Sequence, residues 1–266
     1  MGRRSAKKDQ ETVQNQFSRD YVTGLNFLLS NQQEKAVDLF LSMLQKQESE
    51  NQISQESQFE AELTLGNLFR SRGEVDRALR IHQAIDSSPD YSIEQKLLAK
   101  QQLAKDFLAA GFYDRAENYY ILFLDEPDFA VNSLTQLMTI YQKTKEWKKA
   151  INVSEKLLQI SPETDKKPLA HYYCEYAQAV KNDDQKAFLD ALNKALFHLP
   201  SCSRASMLLG EFHLENKQFR LAADYYEAVL SQNVDYIGEV LDKIKHCYLT
   251  LNDLSGYELF LIKANQ

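Results

Sequence analysis

The sequence feature that most constrains this chain is a pair of small residues, twelve positions apart, that returns at a period of about 34 residues. The pairs are Gly24–Ala36, Gly66–Ala78, Ala104–Ala116 and Gly210–Ala222, and Met138–Ala150 keeps the spacing without a small first member. Three residues after each first member comes a ring: Phe27, Phe69, Phe107, Tyr141 and His213. Four residues after each Ala comes a bulky or polar side chain: Phe40, His82, Tyr120, Ser154 and Tyr226. Such self-similarity predicts stacked units, each covering the apolar face of its neighbour.

The spacing is typical of two helices joined by a tight turn. We expect the small residue and the Ala to meet where the two helices cross, because a larger side chain there would separate the backbones. Gly73 and Gly111 fall at the turn, where a helix end favours a left-handed residue, and Asn31 and Asn216 lie near the same point. The pattern resembles the tetratricopeptide repeat, a helix–turn–helix of 34 residues. The predicted fold is all-α, a right-handed superhelical solenoid of about seven units and about fourteen helices.

The repeat pattern divides the chain into a basic segment, residues 1–16, which we expect to be flexible, and an array over residues 17–266. The polar stretch 45–58 is expected to be a flexible insertion. The fifth unit is irregular, since Ala177 and Ala187 are ten residues apart and predict a shortened turn at 182–184, and the seventh lacks both small residues. The predicted units are 17–50, 59–92, 97–130, 131–164, 169–201, 203–236 and 238–266.

Composition supports this fold and argues against several functional classes. The chain has 8 Gly and 5 Pro, too few turn residues for an all-β sandwich or barrel. A net charge of −7 disfavours nucleic-acid binding, which usually goes with a basic excess. The sequence has no Gly-rich phosphate loop, zinc-protease motif or hydrolase nucleophile motif, so we predict that it is not an enzyme.

Two groups of side chains have both a structural and a functional interpretation. His171 and Cys174 lie three residues apart on a predicted helix, so both can face one metal, but no second pair accompanies them and packing is favoured. Cys202 and Cys247 form no C-x-x-C pair with each other or with Cys174. Three tyrosine doublets are interpreted as repeat packing, with groove contacts as the alternative: Tyr119–Tyr120, Tyr172–Tyr173 and Tyr225–Tyr226.

Partner binding in such arrays is expected on the concave face, which the first helix of each unit lines. An extended peptide with acidic groups or a free carboxylate is the predicted ligand of Asn67, Arg70 and Lys105. Because unpaired charges are costly in a core, we expect no packing role for these residues and little loss of stability when Arg70 and Lys105 are replaced. The alternative is a concave wall covered by water or by another domain. Counting from the small residues places there Leu63, Asn67, Arg70, Gln101, Lys105, Thr135, Thr139 and Gln142.

The first eight residues carry four positive charges and no acid: Arg3, Arg4, Lys7 and Lys8. One interpretation is an ordinary solvated terminus. The other is a segment just cytoplasmic of a membrane helix, where basic residues favour the inner face.

Four segments resemble the lipopolysaccharide assembly protein B family of Gram-negative bacteria: MGRRSAKK, SRDYVTGLNFLLSNQQEKAVDLFLSML, LTLGNLFRSRGEVDRALRIHQ and AAGFYDRAE. The resemblance runs along the whole chain. It implies an N-terminal membrane helix that ends just before a segment similar to residues 1–4, a cytoplasmic repeat array and a C-terminal rubredoxin-like metal domain. We therefore expect this chain to cover the repeat region only and to bind no metal or other cofactor of its own.

The resemblance further implies a non-enzymatic adaptor that regulates lipopolysaccharide biosynthesis. The implied partners are a membrane-bound ATP-dependent protease and the lipid A pathway deacetylase, which the adaptor presents for degradation. The implied location is the cytoplasmic face of the inner membrane, with this chain itself soluble. The repeats alone support a generic scaffold equally well, such as a co-chaperone or a secretion or assembly factor. An uncapped terminal repeat can also pack against another copy, so a homo-oligomer stays open.

Overall fold

A computed structural model describes the backbone of residues 2–50 and 54–264, and the side chains of residues 16–46 and 54–264. Fourteen α-helices follow one another in this described part, which confirms the all-α prediction. They are α1 (Gly2–Leu29), α2 (Gln33–Glu50), α3 (Gln55–Ser71), α4 (Val75–Ser87), α5 (Ile93–Ala109), α6 (Tyr113–Ile121), α7 (Pro127–Thr144), α8 (Trp147–Ile160), α9 (Lys167–Val180), α10 (Gln185–His198), α11 (Ser203–Glu215), α12 (Phe219–Gln232), α13 (Ile237–Thr250) and α14 (Leu254–Ala264).

The helices form two compact halves, residues 1–126 with α1–α6 and residues 127–266 with α7–α14. Within each half a helix packs chiefly against its neighbours along the chain, as expected of stacked repeats. The main core cluster of the N-terminal half includes Phe17, Phe40, Leu65, Phe69 and Ala78. A core cluster of the C-terminal half includes Ala222, Tyr226, Val240, Ile244 and Tyr248.

The small residue at the first position of the repeat leaves room for a ring from the second helix. The prediction had placed an Ala, and not this ring, against the small residue. A Cβ added to Gly24 would lie 2.7 Å from Cζ of Phe40, and one added to Gly210 would lie 2.7 Å from Cε1 of Tyr226. At Gly66 the added atom would meet the imidazole of His82. The glycine therefore faces the side chain sixteen residues later, whereas the prediction placed the Ala twelve residues later against it. Those alanines are fully buried too: Ala36, Ala78, Ala116, Ala150 and Ala222.

The turn inside most repeats has one repeated geometry. A residue with positive φ ends the first helix, and the next N–H donates to the carbonyl of the repeat's ring residue, as Glu74 does to Phe69 at 2.9 Å and Gln218 does to His213 at 2.8 Å. In the sixth repeat the left-handed residue is Lys217, directly after Asn216, which the sequence placed near this turn. Within the described backbone, the residues with positive φ are Asn31, Gly73, Gly111, Lys145, Lys217 and Asn252.

A cation covers the same ring in the first four repeats. The guanidinium of Arg77 lies 3.8 Å from the centroid of Phe69, and the ammonium of Lys149 lies 5.2 Å from that of Tyr141. Lys35 over Phe27 and Arg115 over Phe107 complete the series. In these four repeats the residue directly before the Ala therefore links the second helix to the first through a cation–π contact.

The fifth repeat shortens its turn by one residue. Asp184 accepts a hydrogen bond from the N–H of Ala187 at 2.9 Å and so caps α10. The buried place predicted for Ala187 belongs instead to Phe188, which is 1% exposed and eleven residues after Ala177. The seventh repeat keeps the turn geometry without its small residues, because the N–H of Asp253 donates to the carbonyl of Tyr248 at 3.0 Å.

Two segments predicted to be flexible are largely helical. Helix α1 begins at Gly2, although the side chains of the four early basic residues lie outside the described part. Helix α2 continues to Glu50 and α3 begins at Gln55, so the stretch 45–58 is helical except at Ser54 and at residues 51–53, which lie outside the described part. Gln, Glu and Lys are good helix formers, and Ser54 caps α3 by accepting from the N–H of Ser57. Among the described residues, no helix combines the length and the apolar character needed to cross a membrane.

Candidate functional site

Arg70 of α3 is the centre of a polar cluster in the N-terminal half, which includes one other predicted residue, Asn67. Its Nη1 donates to Oδ1 of Asp106 at 2.8 Å, and its Nη2 donates to Oδ1 of Asn67 at 2.8 Å and to Oε1 of Gln102 at 2.9 Å. Only 19% of the Arg70 side chain is exposed. The expectation that Arg70 has no packing role is therefore wrong, because its guanidinium neutralises a buried carboxylate on α5.

Asp106 connects Arg70 to a buried imidazole. The side chains of Asp106 and His82 are both 0% exposed, and Nδ1 of His82 lies 2.5 Å from Oδ2 of Asp106. One carboxylate oxygen thus has a cation and the other an imidazole, which compensates for its removal from water. Sequence reasoning missed Asp106. The available signal was an acid at a position where the neighbouring repeats carry Leu68 and Ile140.

Lys105 and Gln101 lie one turn apart on α5, and both are partly buried. Burial, followed by the charge of Arg70, lowers the pKa of Lys105, while Asp106 acts in the opposite direction. A carboxylate arriving from a partner would stabilise the ammonium. Because Arg70 already pairs with Asp106, Lys105 is the better candidate of the two for an acidic ligand. Peptide binding by Asn67, Arg70, Gln101 and Lys105 stays a prediction.

In the C-terminal half the predicted residues of α7 line a cavity of about 490 Å³, a size common for ligand sites. We call this cavity the polar groove. It receives side chains from α7, α9 and α11, the first helices of three successive repeats, and Trp147 from α8. Its lining residues are Thr135, Met138, Thr139, Gln142, Trp147, Asp165, Lys167, Pro168, His171, Tyr172, Glu175 and Arg204.

The polar groove has an aromatic pair with a hydrogen-bonded edge. The rings of Trp147 and Tyr172 stack at a centroid distance of 6.2 Å and an angle of 28°. The hydroxyl of Tyr172 donates to Oε1 of Gln142 at 3.2 Å. Burial raises the pKa of Tyr172, so this hydroxyl keeps its proton at neutral pH. Gln142 and Thr139 line the same cavity as the two rings, and polar groups beside aromatic rings suit a main chain with apolar side chains.

The opposite side of the polar groove carries paired charges. Nη1 of Arg204 lies 2.7 Å from Oε1 of Glu175, and its Nη2 donates to Oε1 of Gln178 at 2.8 Å. Asp165 accepts from the backbone N–H of Lys167 at 2.9 Å. The Arg204–Glu175 pair is partly exposed, so water screens it and a charged ligand can compete for either member.

His171 and Cys174 do not face a common site. His171 is exposed and lines the polar groove, whereas Cys174 is buried with its sulfur 3.9 Å from that of Cys202. No group of three or more His, Cys, Asp or Glu side chains suited to a metal ion occurs within residues 16–46 and 54–264. The geometry therefore favours packing over ligation for this pair.

The tyrosine doublets serve mainly in packing, as predicted. Tyr120 and Tyr226 are 1% and 0% exposed. The other tyrosine of each doublet stacks on the ring residue of its repeat, Tyr119 on Phe107 and Tyr225 on His213. The middle doublet combines both interpretations. Tyr173 is buried and donates to Glu155 at 2.5 Å, while Tyr172 is buried and also lines the polar groove.

Comparisons with known proteins agree with this architecture and extend it. The tetratricopeptide repeat family model matches residues 176–235. Lipopolysaccharide assembly protein B of Haemophilus influenzae is 62% identical over 266 residues, which are 100% of this chain and 67% of that protein. The protein of the same name from Escherichia coli K12 is 43% identical over 99% of this chain and 66% of its own length. The chain thus spans about two thirds of the length of each relative. A tetratricopeptide repeat protein from Parabacteroides merdae superimposes with a TM-score of 0.48 at 14% identity, over 86% of this chain and 98% of that structure.

Proposed function

The chain belongs to the lipopolysaccharide assembly protein B family, and from that premise we propose that it acts as a non-enzymatic adaptor. In this proposal it regulates lipopolysaccharide biosynthesis by helping a membrane ATP-dependent protease degrade the deacetylase of the lipid A pathway. The work is recognition: one surface holds the substrate enzyme while another meets the protease. The family relationship supports a role in lipopolysaccharide assembly, and the resemblance described above supplies the two partners.

The observation that carries the adaptor proposal is the polar groove. Its side chains come chiefly from the first helices α7, α9 and α11, with Trp147 from α8, and they offer hydrogen bonds, a ring pair and exchangeable charges around an open space. Such a surface can hold an extended segment through its main chain and read a few side chains. The proposal needs no reaction at the groove. Its location is the cytoplasmic side of the inner membrane, where both proposed partners work.

The polar groove also suggests the order of contributions to binding. Arg204 and Glu175 already satisfy each other, so a ligand charge gains only the difference between two ion pairs. Trp147 and Tyr172 bring apolar area without that compensation, and buried aromatic anchors dominate many interfaces. We therefore propose that an apolar or aromatic side chain of the partner inserts beside these rings, with Gln142 and Thr139 positioning its backbone.

The proposal is tested by capture from cells that carry a full-length tagged form. Thr139→Arg places a long cation in the polar groove and is expected to reduce recovery of the protease or the deacetylase. The matched control is Asn152→Arg, an exposed position on the second helix of the same repeat that does not line the groove. Recovery of both partners with wild type and control, but not with Thr139→Arg, supports the proposal.

Deacetylase turnover provides the second readout. Cells with wild type or Asn152→Arg are expected to degrade the deacetylase, and cells with Thr139→Arg to accumulate it. Equal turnover in all three would exclude the polar groove as the recognition surface. Recovery of only chaperones or secretion components, with unchanged deacetylase levels, would instead support the generic scaffold.

A further inference from the structure

Two buried cysteines of successive repeats lie side by side in the C-terminal half. Cys174 is on α9, and Cys202 immediately precedes α11. Their Sγ atoms are 3.9 Å apart, and the two residues are 0% and 3% exposed. A disulfide bond requires the sulfurs to approach to about 2 Å, so forming it takes a local movement of about 2 Å. The two thiols are reduced in this structure.

The surroundings of the two thiols differ in a chemically useful way. The hydrogen bond from Cys174 lowers the pKa of Cys202, and the N–H groups of Ala205 and Arg204 and the charge of His171 act in the same direction. The pKa of Cys174 is raised by the same thiol–thiol contact and by burial. Cys202 also stands at the N-cap position of α11, where free backbone N–H groups favour a thiolate, so its sulfur is the better placed of the two to act as the nucleophile. Reactive cysteine pairs divide their roles in this way.

The pair lies behind one wall of the polar groove. His171, one turn before Cys174, and Arg204, two residues after Cys202, both line that groove. Because both cysteines are buried, a small oxidant has to reach the sulfurs through a local opening, and the cavity beside His171 and Arg204 is the nearest described space on that side. Cys247 is also buried, but it lies on α13 within a different cluster of apolar residues.

We propose that Cys174 and Cys202 are a redox-active pair that a peroxide converts into an internal disulfide joining the fifth and sixth repeats. The Cys202 thiolate attacks one oxygen of hydrogen peroxide, the O–O bond breaks, and the leaving hydroxide takes a proton to become water. This leaves Cys202 as a sulfenic acid. The Cys174 thiol then attacks that sulfur, the S–O bond breaks, and hydroxide leaves with the Cys174 proton as a second water. Two thiols are oxidised, one peroxide is reduced, and a dithiol reductant reverses the reaction.

The test is peptide mapping of the purified, folded protein after treatment with a small excess of hydrogen peroxide. Remaining thiols are alkylated in denaturant, and the chain is cut with trypsin without reduction. Cleavage after Lys and Arg, except before Pro168, places Cys174 in peptide 167–181, Cys202 in 195–204 and Cys247 in 246–263. We expect a species that joins 167–181 to 195–204, lighter by two hydrogen atoms than their sum. It should disappear on reduction with a dithiol, while 246–263 stays alkylated.

Two variants complete the design. Cys202→Ala removes the nucleophile, so peroxide should leave Cys174 alkylatable, whereas Cys247→Ala should form the cross-link at the wild-type rate. Circular dichroism checks that each variant is folded. Three results with the wild-type protein would overturn the proposal: both peptides fully alkylated after oxidation, Cys202 overoxidised without a cross-link, or Cys247 consumed as fast as Cys202. Because these readouts come from the wild type, an unstable variant leaves the test intact.

Discussion

Replacing Gly66 by Ala is the sharpest test of the packing described above. The new Cβ would lie 2.7 Å from Cε1 and 2.9 Å from Cδ2 of His82, closer than carbon atoms tolerate without a shift. The imidazole has little freedom to move, because its Nδ1 is held 2.5 Å from the buried carboxylate of Asp106. The substitution therefore either strains the crossing or breaks the contact with Asp106.

The size of this effect follows from three opposing contributions. Ala is favoured over Gly in a helix by about 1 kcal/mol. Overpacking a core costs about 1–3 kcal/mol. A buried polar group that loses its hydrogen-bond partner costs about 1–3 kcal/mol more. The two costs do not add in full, because moving His82 away from the new Cβ relieves the overpacking but breaks its contact with Asp106. We therefore expect Gly66→Ala to lower the free energy of unfolding by about 1–4 kcal/mol.

Urea unfolding followed by far-UV circular dichroism measures this change, with the slopes compared to confirm that the midpoints report stability. Gly238→Ala is the matched control, because an added Cβ there meets no atom within 4 Å. It should leave stability unchanged or raise it by up to about 1 kcal/mol. In a His82→Ala background, Gly66→Ala should lose its cost and become favourable. A Gly66→Ala protein as stable as wild type, or an equal cost in both backgrounds, would refute the reasoning.

Three further predictions concern charge and protonation. Arg70→Ala leaves the buried Asp106 without its cation, so it should cost about 3 kcal/mol or more in urea unfolding, while Lys105→Ala stays near neutral; equal effects would contradict the pairing. Burial raises the pKa of Tyr120 to about 12. The neutral hydroxyl therefore contributes its full share of stability below about pH 10, the pKa of Tyr in the unfolded chain, and this share is lost as the pH rises through about 12. Alkaline unfolding should therefore begin at higher pH in Tyr120→Phe. If the basic first segment meets a membrane surface, the protein should bind anionic vesicles weakly at low salt, and deleting residues 1–10 should abolish binding; vesicle co-sedimentation that is unchanged by the deletion would count against that role.

The repeat architecture could be predicted because its determinants are local. A small residue, a ring three positions later and an Ala twelve positions later specify a helix pair by their spacing alone. Gly73 lies between the paired helices, and its left-handed conformation there was predictable from its residue type. The prediction missed the side chain that comes nearest to the glycine, and the reason is geometric. Side chains lean toward the start of their helix, so the ring of Phe40 reaches back to Gly24 past Ala36.

The chemistry of the site was harder to predict because it depends on pairs that are distant in sequence. Two of the three side-chain partners of Arg70, Gln102 and Asp106, lie 32 and 36 residues away on the next repeat, where no local pattern relates them to it. The cysteine pair is 28 residues apart and offers no motif. In contrast, the sequence was enough to group Thr139 and Gln142, which line one cavity, because their position depends only on the face of α7 that they occupy, and partner binding there stays a prediction.

The left-handed turn residues have a consequence for engineering. Four of the six are not glycine, namely Asn31, Lys145, Lys217 and Asn252. A side chain in this conformation costs about 1–2 kcal/mol, less for Asn, whereas glycine adds about 0.5–1 kcal/mol of entropy to the unfolded chain. Lys145→Gly and Lys217→Gly should therefore each be mildly stabilising, and their gains should add because the turns belong to different repeats. The free energy of unfolding can thus be raised by substitutions at turn positions that lie away from both the core and the polar groove.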